Sequence, residues 1–502
     1  MKRRLLALLL ILLFVLPLAA ACGNANQTTD PQSTETKKPD SGNQPSGSDE
    51  SETEEGDVWY EPERPAGLTT QDKEFVFLCF TDDSSFYWHD SDFLADSING
   101  DTMNDAVFQR NKYVEEELGI TLTIVPGDAQ LGTSTLSNSI SAGDDEFQAA
   151  DLTTHDMFSL AGQELLLELN SMGTIQLTSP WWDQHCLEDL SILNQNFGLY
   201  GEIGSMYKRT LGCVIFNKPL FHERFPDVDL YEEQAEKRWT IEAMTDIVLS
   251  VSEDLDGDQT MTEADLFGMT YQGDMLPIAL IACDIRFVTK DEDDIPELTL
   301  NDEKTIEAID YLGDLMYDTD CARSSSANQP KVNDHHDCFK NAHSVFDVTE
   351  IHAVIDMRSM DQDFGVLCMP LYDESQENYL TCINPHVAAT LVVPNSIKEP
   401  EFVGFVLDYL SAAGMNYMTP AFYDITLQSR SVRDQESKET IDIISSSVRY
   451  DIGYLSDWGM SASIRSLADT RSKNFSSRWA SDSSSFESKM EQTIEAFERL
   501  RS

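Results

Sequence analysis

From residue 73 onward the chain alternates short, dense apolar runs with amphipathic stretches, and this alternation restricts its fold more than any other feature. The run "KEFVFLCF" (73–80) is continuous and aromatic-rich, as a strand covered on both faces would be. "NDAVFQRNKYVEEELGI" places apolar residues at helical spacing and stops at Gly119, a residue type suited to a left-handed helix end. "TLTIVP" reads as a second strand, and "DEFQAADLTTHD" with "LLLELN" continues the series. The alternation resumes with "LGCVIFNKPLF", a strand running into a helix start, and "WTIEAMTDIVLSVSED", an amphipathic helix capped near Thr240. "TIEAIDYLGDLMYD" reads as a helix, and "HSVFDVTEI", "FGVLCMPLY" and "VAATLVVP" read as strands. "EPEFVGFVLDYLSAAGM" reads as a long helix ending near Gly414, and "FESKMEQTIEAFERLRS" as the last one. Strand and helix in turn predict parallel sheet wrapped by helices. With 502 residues the chain exceeds one ordinary core, so the expectation is an α/β protein of two lobes with a helix-rich C-terminal part.

Residues 1–21 have a basic start, an apolar run too short for a convincing membrane span, and a small-residue end, the layout of a secretory signal peptide. "LAAAC" ends on Cys22 and resembles the lipobox of bacterial lipoproteins, which implies a diacylglyceryl group on that cysteine. The match departs from the family's pattern where Ala19 stands in place of leucine, and plain secretion with a free Cys22 is the alternative. Residues 22–71 hold almost nothing apolar to bury, so they read as a disordered tether that keeps a globular body off a membrane surface. That order of parts places the protein at the extracellular face of the bacterial cell membrane.

Charge excludes one class of partner. With 89 Asp and Glu against 34 Lys and Arg, the net charge of -55 repels nucleic acid. Eight further cysteines are scattered without CxxC spacing, which argues against a zinc ribbon, and several lie inside apolar runs as buried free thiols would.

"VIFNKPLFHERFP" followed by "RWTIEAMTDIV", then "DFGVLCMPLYDESQENYLT", "PHVAATLVVPNSIKEPEFVGFVLDYLS" and "TPAFYDITLQSRSVRDQES", resembles the extracellular solute-binding proteins (family 1-like, the substrate-binding lipoproteins of ABC transporters) in its order of elements. The resemblance covers most of residues 72–470. It implies a two-lobed periplasmic-binding-protein-like fold of the maltose-binding-protein type, joined by hinge strands, that encloses a solute and delivers it as a monomer to an ABC permease. The implied first lobe spans 72–205 plus 384–420, and the second 206–383 plus 421–502. Pockets in such folds sit at the carboxyl ends of strands.

"DLDGDQTMTEAD" (254–265) sets Asp254, Asp256, Asp258 and Asp265 at places one, three, five and twelve of a calcium loop, with the Thr260 carbonyl at seven. It resembles the dockerin type of EF-hand loop, with Gly257 at place four, and departs from it at place six, where Gln259 replaces glycine and strain is expected. The reading is a structural Ca²⁺ staple, against a solvated acidic turn. "NDHHDC" (333–338) reads as a hydrophilic loop rather than a metal trio.

Sugar receptors combine aromatic platforms with polar hydrogen-bonding side chains. Candidates just past strand ends are Trp88 beside Tyr87, His155 with Asp156, Trp181 with Trp182, Tyr271 and Trp458, each with core packing or helix capping as its alternative. The leading function is therefore a membrane-anchored receptor for a carbohydrate, an oligosaccharide in class, feeding an ABC importer; a peptide is the nearby variant. An extracellular glycoside hydrolase and a calcium-dependent adhesion or signalling lipoprotein are the alternatives. No GxSxG, HExxH or P-loop motif supports an enzyme.

Overall fold

Burial on both faces makes the first apolar run a strand: in Glu74–Thr81 (β1), Phe75, Phe77, Leu78 and Cys79 are all in the core. The computed structural model describes residues 58–81, 92–128, 132–325, 334–357, 360–427 and 435–501. The signal segment, Cys22 and most of the tether lie outside these residues.

β1 pairs in parallel with Thr121–Asp128 (β2) and with Ala149–Thr153 (β3). Ala389–Val392 (β12) runs antiparallel to β3 and to Gly198–Leu199 (β4), so the first sheet has the order β2-β1-β3-β12-β4. A second five-stranded sheet has the order β11-β5-β10-β6-β9, built from Gly212–Asn217 (β5), Phe267–Tyr271 (β6), Ala322–Ser324 (β9), Ser344–Glu350 (β10) and Phe364–Leu367 (β11). Val288–Lys290 (β7) and Pro296–Leu298 (β8) form a hairpin. The expectation of parallel sheet holds for β2-β1-β3 and β10-β6-β9 only. Both sheets are mixed, because β12 returns into the first sheet antiparallel to β3 and β5 pairs antiparallel with both β10 and β11.

The chain thus passes from the first sheet to the second between β4 and β5, and comes back between β11 and β12. Among the described residues, only helices follow β12, the helix-rich end that the pattern predicts.

Local chemistry sets the helix starts. Asp101, Asn217 and Thr240 each accept a backbone N–H of the first turn, from Asn104, Leu220 and Ala243 respectively. Gly119 ends the helix Thr102–Leu118 in the left-handed region, with φ of 65°. Trp239 is fully buried and donates its indole N–H to the Cys368 carbonyl at 2.9 Å, which explains the Trp-Thr start of the helix Ile241–Val251.

Gly414 does not end its helix. Pro400–Leu427 runs through Gly414 and Pro420 without a break. A Cβ at residue 414 would lie 1.8 Å from the Glu202 carbonyl oxygen, so the glycine marks a close crossing and not a cap. "LLLELN" contributes a single bridge, Leu166 to Pro394, and a 3-10 turn at Leu169–Met172 rather than a strand. The eight cysteines of the described residues are free, with Cys321 half-buried and the other seven buried.

Candidate ligand-binding site

The site grows from the carboxyl end of β3. Thr153 caps the helix Thr154–Gly162: its hydroxyl accepts the Asp156 N–H and donates to Asp156 Oδ2 at 2.9 Å. Thr154 turns inward to a hydroxyl cluster with Tyr200 and Thr390, which ties β3 to β12 and β4. His155 and Asp156 are left half-buried at the helix start. The His155 ring sits 4.6 Å from that of His386, on the segment entering β12.

The second sheet reaches the same place through its own strand ends. The His386 N–H donates to Asn384 Oδ1, and Asn384 Nδ2 donates at 3.0 Å to Glu350 Oε1, at the end of β10. Asp274, three residues past β6, pairs with Arg465 of the C-terminal helices at 2.6 Å. Groups from both sheets, the return segment and the C-terminal helices therefore converge where β3, β6 and β10 end.

Electrostatics keep this cluster rich in hydrogen-bonding capacity. Burial, with His386 beside it, pushes the His155 imidazole down to about 4, and the Tyr454 backbone only partly opposes this. His155 is thus neutral at physiological pH, and its Nε2 is buried with no hydrogen-bond partner. His386 is also held below its ordinary range by partial burial, against the pull of Asp274 and Asp156. Burial pushes Glu350 up to about 8, which favours its protonated form at neutral pH. Neutral imidazoles beside half-buried Asp156 and Asp274 give paired donors and acceptors, the chemistry that reads hydroxyl groups.

The sequence-predicted residues separate into groups. His155 and Asp156 lie in this cluster. Trp88 and Tyr87 lie outside the described residues. Trp181, Trp182, Tyr271 and Trp458 are corrected from solute platforms to core side chains, since none is more than 5% exposed. The burial has polar reasons: both Trp181 and Trp182 donate to Asp408 Oδ1, Tyr271 donates to the Met316 carbonyl, and Trp458 donates to Thr493 Oγ1. Sequence reasoning missed His386, Asp274, Asn384, Glu350 and Arg465. The histidine before "VAAT" and the aspartate just past β6 carried a positional signal, whereas Arg465 carried none.

The acidic loop closes on itself at the end of the helix Ile241–Val251. Glu253 and Leu266 exchange backbone hydrogen bonds across its base. Carboxylate oxygens of Asp254, Asp256 and Asp265 lie within 4.8 Å of one another. Asp258 stands apart from that trio and accepts the Thr260 N–H. Gln259 adopts φ of 67°, the left-handed conformation that glycine takes at place six without cost. Backbone and hydroxyl donors of Thr262, with the Leu255 N–H, hold Asp265 below the usual carboxylate range.

This architecture is the mixed α/β, two-lobed fold of maltose-binding-protein-like proteins. Solved structures that share it include an ABC substrate-binding protein of Listeria monocytogenes in complex with cycloalternan (13% identity, 85% of this chain and 99% of that one, TM-score 0.51). The GacH receptor of Streptomyces glaucescens, solved unliganded and with acarbose and an acarbose homolog, is 12% identical over 86% of this chain and 98% of its own, with a TM-score of 0.52. UgpB of Mycobacterium tuberculosis in complex with glycerophosphocholine is 14% identical over 76% of this chain and 95% of its own, with a TM-score of 0.53. No protein-family model and no curated protein matches the chain. Among the described residues no helix is long and apolar enough to cross a membrane.

Proposed function

We propose that this protein is an extracellular solute-binding protein that captures an oligosaccharide between its two lobes and hands it to an ABC importer. One observation carries the reading: groups able to read hydroxyls, the half-buried His155, Asp156 and Asp274 with the exposed His386, meet at the strand ends where the chain crosses from sheet to sheet. Ligand contacts made to both sides at once would favour a closed state by hinge motion. The sugars bound by structural neighbours from Listeria and Streptomyces support the choice of solute class. The signal segment, "LAAAC" and the polar tether support anchoring through Cys22 at the outer face of the membrane, with the permease as partner and the importer's cargo as solute.

Calorimetric titration with a panel of oligosaccharides and short peptides tests this. We expect saturable one-to-one binding of a glycan with no product formed. His155→Ala and Asp274→Asn are each expected to weaken it about 10–100-fold, the size of one lost charge-assisted or buried hydrogen bond. Heat from peptides alone, or release of hydrolysis products, would replace the reading with peptide capture or a glycoside hydrolase; unchanged affinity in both variants would move the site elsewhere.

We also infer that the loop 254–265 holds Ca²⁺ as a structural staple, supported by its three gathered carboxylates. At calcium a hundredfold above Kd the stabilisation is about 2.7 kcal/mol, so chelator is expected to lower Tm measurably. Asp265→Ala should remove that calcium-dependent shift; a chelator shift that persists in the variant would refute the assignment.

A further inference from the structure

From Asp334 onward the segment read as a hydrophilic loop from "NDHHDC" is instead a short helix with one buried face. Asp334 caps His335–Lys340 by accepting the N–H groups of His336 and Asp337, and the helix packs against β10 and β6. This turns two adjacent imidazoles toward Asp347, a fully buried aspartate at the centre of the second sheet.

We propose that His335, His336 and Asp347 form a binding site for a borderline transition-metal ion of the zinc type. His335 Nδ1 stands 2.8 Å from Asp347 Oδ1, and His336 Nε2 stands 3.7 Å from Asp347 Oδ2. One ligand atom from each of the three residues lies within 4.8 Å of the others, a spread that a single ion bridges. Asp347 Oδ2 is buried without a hydrogen-bond partner, although Oδ1 of the same carboxylate accepts from Thr270 at 3.0 Å. A carboxylate oxygen in a core without a hydrogen bond costs free energy that a coordinated cation would recover. Thr270 then acts as the outer partner that orients the carboxylate.

The surroundings extend the same chemistry. The His352 ring lies 5.6 Å from that of His336, and its Nδ1 lies 3.4 Å from Glu350 Oε2, a second buried carboxyl oxygen without a hydrogen-bond partner. His336 is the most exposed of the three ligands and gives the ion a route in. Two imidazoles and one carboxylate suit zinc, cobalt or nickel and disfavour calcium, which prefers oxygen ligands. The site is therefore chemically separate from the acidic loop at 254–265, and it stands or falls independently of the oligosaccharide reading. A bound ion would pin the helix His335–Lys340 to β10, whose end carries Glu350 and its bond to Asn384 on the return segment.

The test is titration of the metal-free protein with zinc, followed by calorimetry, and with cobalt, followed by visible absorption. We expect one ion per chain, with a low-coordinate cobalt spectrum and a rise in Tm. His336→Gln is expected to weaken zinc binding at least about 100-fold, since even outer-shell changes cost about 10–100-fold. His336 is partly exposed, so this variant should keep its fold by circular dichroism; Asp347→Asn is the harsher second variant. Asp254→Ala with Asp256→Ala should leave zinc binding intact. Zinc stoichiometry below one, or affinity unchanged in a folded His336→Gln protein, would overturn the site and leave a buried His335–Asp347 ion pair in its place.

Discussion

Asp408→Ala is expected to lower the unfolding free energy by about 3–5 kcal/mol, because it leaves two buried indole donors and one part-buried backbone N–H without an acceptor and each buried loss costs about 1–3 kcal/mol. Asp408 is fully buried on the helix Pro400–Leu427. Its Oδ1 accepts the indole N–H groups of Trp181 and Trp182 at 3.1 and 2.7 Å, and its Oδ2 accepts the Gln176 N–H at 2.7 Å. One carboxylate thus hangs the whole 176–182 turn on the helix, and Ser411, one turn on, donates to the Trp181 carbonyl. Urea unfolding followed by tryptophan fluorescence measures the effect, and a loss below about 1 kcal/mol would contradict it.

The same group predicts a pH dependence. Burial pushes Asp408 up to about 6, against the three hydrogen bonds that favour the anion. The folded state therefore binds this proton more tightly than the unfolded chain does. Its contribution is full below the unfolded value of 3.8 and is lost as pH rises through about 6. The stability gap between the parent protein and Asp408→Ala should accordingly narrow between about pH 4 and pH 6 and stay level above that window.

Gly414→Ala is expected to destabilise by about 3 kcal/mol, against the stabilisation of about 1 kcal/mol that helix propensity alone assigns to this change. The added Cβ would stand 1.8 Å from the Glu202 carbonyl oxygen and 2.7 Å from its carbon. Backbone cannot rotate away as a side chain does, so the 201–203 turn must leave the helix. That turn is tied in place: Glu202 accepts from Thr419 of the same helix and pairs with Lys208 at 2.6 Å, and Trp182 packs under Gly201. Thermal unfolding of the two proteins decides between the opposed signs, and a stabilised variant would rule out the close crossing.

Both predictions concern residues whose meaning the sequence concealed. Gly414 carried the signature of a helix stop, and Trp181 and Trp182 carried that of a sugar platform. A lone glycine or an indole pair has the same local appearance in either role. What separates the roles is a partner far along the chain, Glu202 for the glycine and Asp408 for the tryptophans. "NDHHDC" failed in the same way, since its polarity spoke for solvent until Asp347 supplied a buried partner.

Local chemistry sufficed wherever a feature depends on neighbours within a few residues. The apolar runs named the strands, Thr240 and Asn217 named their caps, Gly119 named its helix end, and the acidic spacing named a loop that closes at Glu253 and Leu266. Residue order along the chain also carried the α/β class, the two lobes and the helical C-terminal end. Tertiary structure alone decided the antiparallel return of β12, the meeting of His155 with His386 and Asp274, and the burial of four of the predicted aromatic residues beneath polar anchors. The physical reason is range: capping, periodicity and turn preference act over one or two turns of chain, whereas a binding cluster is made by groups hundreds of residues apart that only packing brings within a few ångströms.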